Sequence, residues 1–246
     1  MNSQYAILAD GIGKRYERVE AIRNLNLQVK RGEMFGITGS GGSGKSTLLE
    51  LLTGIRKADR GDIRLLGMDV KTHLNQIKQR IGVQLQNSAL YERITVKEAL
   101  QLFQTYYYKK RDLPDLIEML SLEPYLNQYI NRLSASLQQR VSLAVTVVND
   151  PDLIALDEPY AGLEPHHRKE MWTILSNLRD EGKTIIIATS AKEEAQRHCD
   201  RVALLVEGAI SECNSKKPVL TVPAIMTVKD EKYMSLTAFN QKGESA

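Results

Sequence analysis

The run Gly39-Ser40-Gly41-Gly42-Ser43-Gly44-Lys45-Ser46-Thr47 has the residue types and spacing to hold a triphosphate. Closely spaced glycines let backbone N–H groups converge on phosphate oxygens, and the N-terminus of a following helix adds positive partial charge. Lys45 can reach the terminal phosphates, and Ser46 can ligate Mg²⁺. Such chemistry needs a strand before the loop and a helix after it. The apolar run Met34, Phe35, Gly36, Ile37 and the spaced Leu48, Leu49, Leu51, Leu52 supply both. A second pattern is contained in the same residues: Gly39, Gly41 and Gly44 also fit a dinucleotide fingerprint, with Asp59 about 20 residues on. Asp59 lies in a turn-like stretch from Lys57 to Gly61 and not at a strand end, and Lys45-Ser46 has no role in that scheme. The triphosphate reading is therefore preferred.

The elements that must position this loop follow from periodicity. From about Ala6 to Gly36 the chain alternates as half-buried strands do, with Ile22, Leu25, Leu27 and Val29 on one rhythm and a turn at Lys30-Arg31-Gly32. After the loop and its helix comes a short strand, Ile63 to Leu66. From Thr95 the pattern becomes helical: Thr95 and Glu98 form a capping box, and Val96, Ala99, Leu100, Phe103 and Tyr107 keep to one face. A second amphipathic helix carries Leu113, Leu116, Ile117 and Leu120. A third carries Leu137, Val141, Ala144, Val145 and Val148 and stops at Asn149-Asp150-Pro151. The runs Leu153 to Leu156 and Thr184 to Ala188 read as buried parallel strands. Ser190 with Glu193 predicts a capping box on the helix that follows. The fold class expected is α/β: a mainly parallel P-loop core, an N-terminal antiparallel β subdomain and an inserted helical subdomain at about 87–141. The tail, 214–246, mixes strand-like pieces (Val219 to Val222, Ile225 to Val228) with a polar end and receives no function.

Composition limits the setting. A chain of 246 residues can bury a substantial core. Lys plus Arg number 33 against 30 Asp plus Glu, a formal net charge of +3, which does not call for nucleic acid. Cys199 and Cys213 show no metal-type pairing and the start has no leader pattern, so a reducing cytoplasmic setting is expected. No apolar run approaches the ~18 residues a membrane span needs. Membrane work would fall to a partner chain.

In order along the chain, these elements resemble the ATP-binding subunit of an ABC transporter over roughly residues 1–213. Gly39 to Thr47 matches that family's Walker A segment. Tyr16, in Lys14-Arg15-Tyr16, falls where the family places an aromatic ring against adenine. Gln86, ending Ile81-Gly82-Val83-Gln84-Leu85-Gln86, matches the glutamine that touches Mg²⁺ or the attacking water and joins the core to the helical subdomain. Leu156-Asp157-Glu158-Pro159 matches Walker B with the catalytic carboxylate after it. A carboxylate at the end of a buried strand, as Asp157 would be, can hold the metal, while Glu158 polarises the hydrolytic water.

Three departures stand beside these matches. The signature segment, usually Leu-Ser-Gly-Gly-Gln, reads Leu133-Ser134-Ala135-Ser136-Leu137, followed by Gln139-Arg140. In the family this segment faces the γ-phosphate held by the opposite subunit. Ser134 and Ser136 stay as candidate contacts, although two added Cβ atoms oppose a close approach. Ser190 stands where the family carries a phosphate-sensing histidine, and Glu164 replaces the usual Asp in Ala161-Gly162-Leu163-Glu164. The resemblance implies an ATP- and Mg²⁺-dependent ATPase, with Lys45, Gln86 and Glu158 catalytic and Ser46, Gln86 and Asp157 at the metal. It also implies a second ATP-binding subunit, an integral membrane partner, peripheral placement on the cytosolic face of the membrane, and no nucleic acid. Leu90 to Val96 and Asp157 to Pro165 resemble export-type members. The alternative is a regulatory, pseudo-ATPase subunit with little hydrolysis of its own, for which Ala135, Ser136 and Ser190 argue and Glu158 does not.

Overall fold

Among the described residues five parallel strands, the central ones apolar on both faces, make up most of the larger sheet. The structure is a computed structural model that describes residues 4–86 and 93–215. Chain order is β1 Tyr5–Tyr16, β2 Val19–Lys30, β3 Met34–Thr38, α1 Lys45–Leu52, β4 Arg60–Leu65, β5 Met68–Asp69, α2 Leu74–Lys78 and β6 Ile81–Gln84. Then follow α3 Val96–Gln104, α4 Leu113–Met119, α5 Ala135–Val147, β7 Leu153–Asp157, α6 Pro165–Asp180, β8 Thr184–Thr189, α7 Lys192–His198, β9 Arg201–Val206 and β10 Ala209–Ser215. The larger sheet runs β10-β9-β3-β8-β7-β6, parallel except for the antiparallel edge strand β10.

Alternation within each central strand assigns the two faces. Ile154 and Leu156 of β7, with Ile185 and Ile187 of β8, join an apolar cluster with residues of α3, α4, α5, α6 and α7. Leu153, Ala155, Ile186 and Ala188 point the other way, into a cluster shared with α1, β1 and β2. Both faces are covered, which is why these strands read as continuous apolar runs rather than as alternation. Between β6 and α5 the backbones nearly touch: a Cβ on Gly82 would lie 2.0 Å from the Thr146 carbonyl oxygen. Only glycine permits that approach.

The smaller sheet, β2-β1-β4-β5, is antiparallel throughout. Ile22, Leu25, Leu27 and Val29 are all buried, and the irregular step from 22 to 25 is made by Asn24, whose φ of 40° resets the side-chain alternation. Asp59 is occupied structurally. Its carboxylate accepts from Lys14 Nζ at 2.6 Å and from the Arg15 amide at 2.8 Å, and the Lys14 hydrogen bond holds its pKa below the ordinary aspartate value. A ribose-binding role is thereby disfavoured, as the turn-like sequence around it suggested.

The capping box at Thr95 forms, with Glu98 N–H donating to Thr95 Oγ1 and Thr95 N–H to Glu98 Oε2. The one predicted on Ser190 does not. α7 begins at Lys192 behind Ala191, whose side chain cannot cap. The Ser190 amide that such a box would give to Glu193 donates instead to the Glu158 carboxylate, and the Ala191 amide donates to Thr189 Oγ1. Strand β10 reaches Ser215. The strand-like pieces of the tail, and Leu90 to Glu92 of the export-type segment, lie outside the described residues. Among the described residues no helix is long and apolar enough to cross a membrane.

Candidate nucleotide site

Parallel pairing places the C-terminal ends of β3, β8, β7 and β6 along one edge of the sheet, where the loops carrying functional groups emerge. β3 ends at Thr38, and residues 39–44 lead directly into α1. Gly44 has φ 102°, and a Cβ there would lie 2.6 Å from the Ala21 carbonyl oxygen, so the turn into the helix requires glycine. On the outer side, a Cβ at Gly41 or Gly42 would meet nothing within 4 Å. That open side of the loop, at the N-terminus of α1, leaves room for a phosphate group.

Lys45 is buried along its stem, and its ammonium donates to the Gly39 and Ser40 carbonyls, both at 2.9 Å. Those two carbonyls hold the charge in the loop that phosphate oxygens would claim. Ser43 contributes only main chain: its hydroxyl is buried without a partner, while its amide donates to Ser40 O and its carbonyl accepts from Gly208. Ser40 is exposed; Ser46 and Thr47 are half-buried.

Asp157 closes β7 on the face turned toward α1. It is 3% exposed, and its Oδ1 has no hydrogen-bond partner. Burial pushes its pKa above the ordinary value and the Glu158 charge adds to that, while a hydrogen bond from Ser46 and the Lys45 charge pull it down. A buried carboxylate with one orphaned oxygen beside a serine hydroxyl is a donor set suited to a hard, oxygen-ligated cation, and Mg²⁺ fits it. Gln86, the other residue expected at the metal, is exposed just past β6.

The cost of that carboxylate is measurable. Because the folded-state pKa of Asp157 lies above its unfolded value, its contribution favours folding below the unfolded pKa and is lost as pH rises through the folded one. At neutral pH the ionised group therefore opposes folding. Asp157→Asn should raise the thermal midpoint of the nucleotide-free chain at neutral pH, by ~2–4 °C, and the gain should shrink in acid. Differential scanning calorimetry across pH checks this. A lower midpoint at neutral pH would show that Asp157 is stabilising as it stands.

Glu158 follows with φ 48°, a left-handed residue that turns the chain sharply at the strand end. Its carboxylate is held across the end of β8, accepting from Thr189 Oγ1 at 2.9 Å and from the Ser190 amide at 2.6 Å. Position 190 thus acts on Glu158 through its backbone. Gln139, two residues past the signature segment, reaches the same turn, its Nε2 donating to the Pro159 carbonyl at 2.6 Å. Ser134 caps α5 through a long bond from Leu137 N–H, 3.4 Å, and shares its hydroxyl with Ser136 at 3.1 Å.

The structure therefore brings together the loop, Lys45, Ser46, Asp157 and Glu158. Tyr16 ends β1 with 36% of its surface exposed, and the Arg56 guanidinium and Lys14 ammonium lie 5.3 and 5.6 Å from its ring centre. An adenine stacking there would share the ring with Arg56. Sequence reasoning missed Gln84, buried in β6 with Oε1 unpartnered, and missed Thr189 as the hydroxyl on Glu158. A glutamine inside a strand otherwise made of apolar residues and glycine was the available signal for the first.

Comparison with known proteins agrees with this geometry. The sequence profile described as ABC transporter matches residues 22–161. Curated relatives include the Nod factor export ATP-binding protein I of Ralstonia nicotianae, 35% identical over 81% of this chain and 64% of that protein. The protein of the same name from Burkholderia pseudomallei is 39% identical over 80% of this chain and 66% of that one. The chain thus spans just under two thirds of the length of these relatives. Among solved structures, a dimeric ATP-binding cassette in a post-hydrolysis state with ADP and phosphate superposes with a TM-score of 0.79, at 25% identity, covering 87% of this chain and all of that one. The cbiO1 subunit from Clostridium perfringens, part of the ABC transporter complex cbiONQ, gives 0.78 at 26% identity, covering 87% and 89%. By the profile match and these relatives, the chain belongs to the ABC transporter family and carries its ATP-binding domain.

Proposed function

We propose that this chain is the ATP-hydrolysing motor of an ABC exporter, working with a second ATP-binding subunit and a separate integral membrane subunit. The observation that carries this reading is the convergence of an open phosphate cradle, the Lys45 ammonium, the half-orphaned Asp157 carboxylate and Glu158 at the ends of adjacent parallel strands. Mg²⁺, held by Ser46, Asp157 and Gln86, would screen the phosphate charges. Loop amides from Gly39 to Thr47 and the Lys45 ammonium orient the β- and γ-phosphates. Glu158 accepts a proton from the attacking water, once nucleotide draws its carboxylate off Thr189 and Ser190. Tyr16 stacks on the base, and Ser134 and Ser136 face the nucleotide of the second subunit.

Closure of two such domains on ATP and their release after hydrolysis would become a rigid-body movement felt in the membrane subunit. Residues just after Gln86, which lie outside the described part, are the expected mechanical contact. The export direction rests on the relatives named for Nod factor export and on the Asp157 to Pro165 stretch. The domain boundaries are taken at 1–213, with the helical subdomain at about 87–141. Placement is peripheral, at the cytosolic face of the membrane, and the ligands are ATP and Mg²⁺.

Affinity purification of the tagged chain from detergent-solubilised membranes should recover an integral membrane protein with it. Recovery solely from cytosol, or together with ribosomes or DNA, would overturn the transporter reading.

A further inference from the structure

Two of the chain's four histidines stand side by side at the start of α6, next to an acid. Pro165 opens the helix between Glu164 and His166 and fixes the backbone that joins them. A Glu164 carboxylate oxygen lies 3.5 Å from His166 Nδ1, and the rings of His166 and His167 are 3.8 Å apart between centroids. One ligand atom from each of the three side chains lies within 4.8 Å of the other two. Ligands bound to one ion at ~2.0–2.2 Å are separated by about 3 to 4 Å, so small side-chain rotations bring all three onto a common centre. Glu164 and His166 are exposed and His167 is half-buried, so an ion can enter from solvent and keep water in its remaining positions.

The donor set decides which ion. Two imidazoles with one carboxylate match borderline transition metals, whereas Mg²⁺ and Ca²⁺ call for oxygen donors. We propose that Glu164, His166 and His167 form a second metal site, for Zn²⁺ or a similar divalent transition-metal ion, separate from the Mg²⁺ of the nucleotide. As a mere ion pair, an exposed His166–Glu164 contact at this distance contributes little. The amides of the first turn of α6 oppose a cation and the Glu164 carboxylate offsets them, so this is an open, exchangeable site and not a closed structural one.

Its position gives it leverage. The ligands follow directly on the turn that carries Glu158, and Arg168 of the same helix already fastens that segment by donating to the Leu163 carbonyl at 2.7 Å and pairing with Glu194. A bound ion would pin Glu164 to the first turn of α6 and stiffen the connection between Glu158 and that helix.

Calorimetric titration of ZnCl₂ into the full chain, without nucleotide and with excess Mg²⁺ present, tests the site. One Zn²⁺ per chain is expected at this cluster, and Co²⁺ in its place should give a visible absorption band. Outer-sphere partners of metal sites are already worth roughly 10- to 100-fold in affinity, so removing a ligand should weaken binding at least about tenfold. His166→Ala, His167→Ala and Glu164→Gln should each show this loss, with circular dichroism unchanged because none of the three side chains is buried in the core. Cys213→Ser, which removes the exposed thiol, should leave the affinity as it was. Absence of Zn²⁺ binding by the unmodified chain, binding that persists in the double variant His166→Ala with His167→Ala, or displacement by Mg²⁺ would each overturn the assignment.

Discussion

Restoring glycine at 135 and 136 and histidine at 190 should raise ATP turnover by the purified chain about 10²- to 10³-fold, the usual worth of one preorganised donor to developing phosphate charge. Both departures from the family pattern can be followed in the structure. At the start of α5, Ser136 spends its hydroxyl on Ser134, and the cap from Ser134 to the Leu137 amide is stretched to 3.4 Å. In the proposed dimer a nucleotide held by the second subunit presses against the first amides of α5, and Ala135 and Ser136 bring two Cβ atoms there that glycines would not. At position 190 the amide is engaged by Glu158, and the short side chain cannot extend a donor toward a γ-phosphate. In a homodimer each site would carry both defects. Phosphate release should be compared among the unmodified chain, Ser190→His, the Ala135→Gly/Ser136→Gly pair and the triple variant. Fast hydrolysis by the unmodified chain, unimproved by any restoration, would show that the departures are tolerated.

Glu158→Gln, introduced into the restored chain, should remove roughly 10²- to 10⁴-fold of that turnover while leaving MgATP affinity nearly unchanged. Glutamine keeps the size of the side chain and can still accept from the Ser190 amide, so the β7–β8 junction retains its shape. What disappears is the group able to take a proton from water. Rapid-quench assays with equilibrium nucleotide binding separate the two effects. A variant that keeps more than about a tenth of the turnover would place the general base elsewhere.

Legibility from sequence followed the range of the interactions. The phosphate loop reads plainly because strand, glycines, Lys45 and helix are contiguous, and the Thr95 cap reads plainly because both its partners lie within one turn. The Asp157-Glu158 pair could be placed at a strand end from the apolar run before it. Ser190 misleads for the opposite reason: its amide is claimed by Glu158, thirty-two positions earlier, so a local capping pattern loses to a tertiary partner. Thr189 was invisible on the same ground. Helix α6 buries Met171, Trp172, Leu175 and Leu178, but after Pro165 its first turn is polar and charged throughout, so the apolar stripe that marks it in sequence starts well past its N-terminus. The close approach of Gly82 to Thr146 arises only when β6 and α5 are packed.

Calorimetry of MgATP binding to the unmodified chain and to Lys45→Ala tests most directly whether the loop from Gly39 to Thr47 holds the nucleotide. In the structure the Lys45 ammonium already lies inside the loop on the Gly39 and Ser40 carbonyls, so it need only exchange them for phosphate oxygens. A charge-assisted bond is worth about 1.5–3 kcal/mol, so the variant should bind at least about tenfold more weakly. Equal affinity in the two proteins, or no MgATP binding by the unmodified chain, would contradict the assignment of this loop as the nucleotide site.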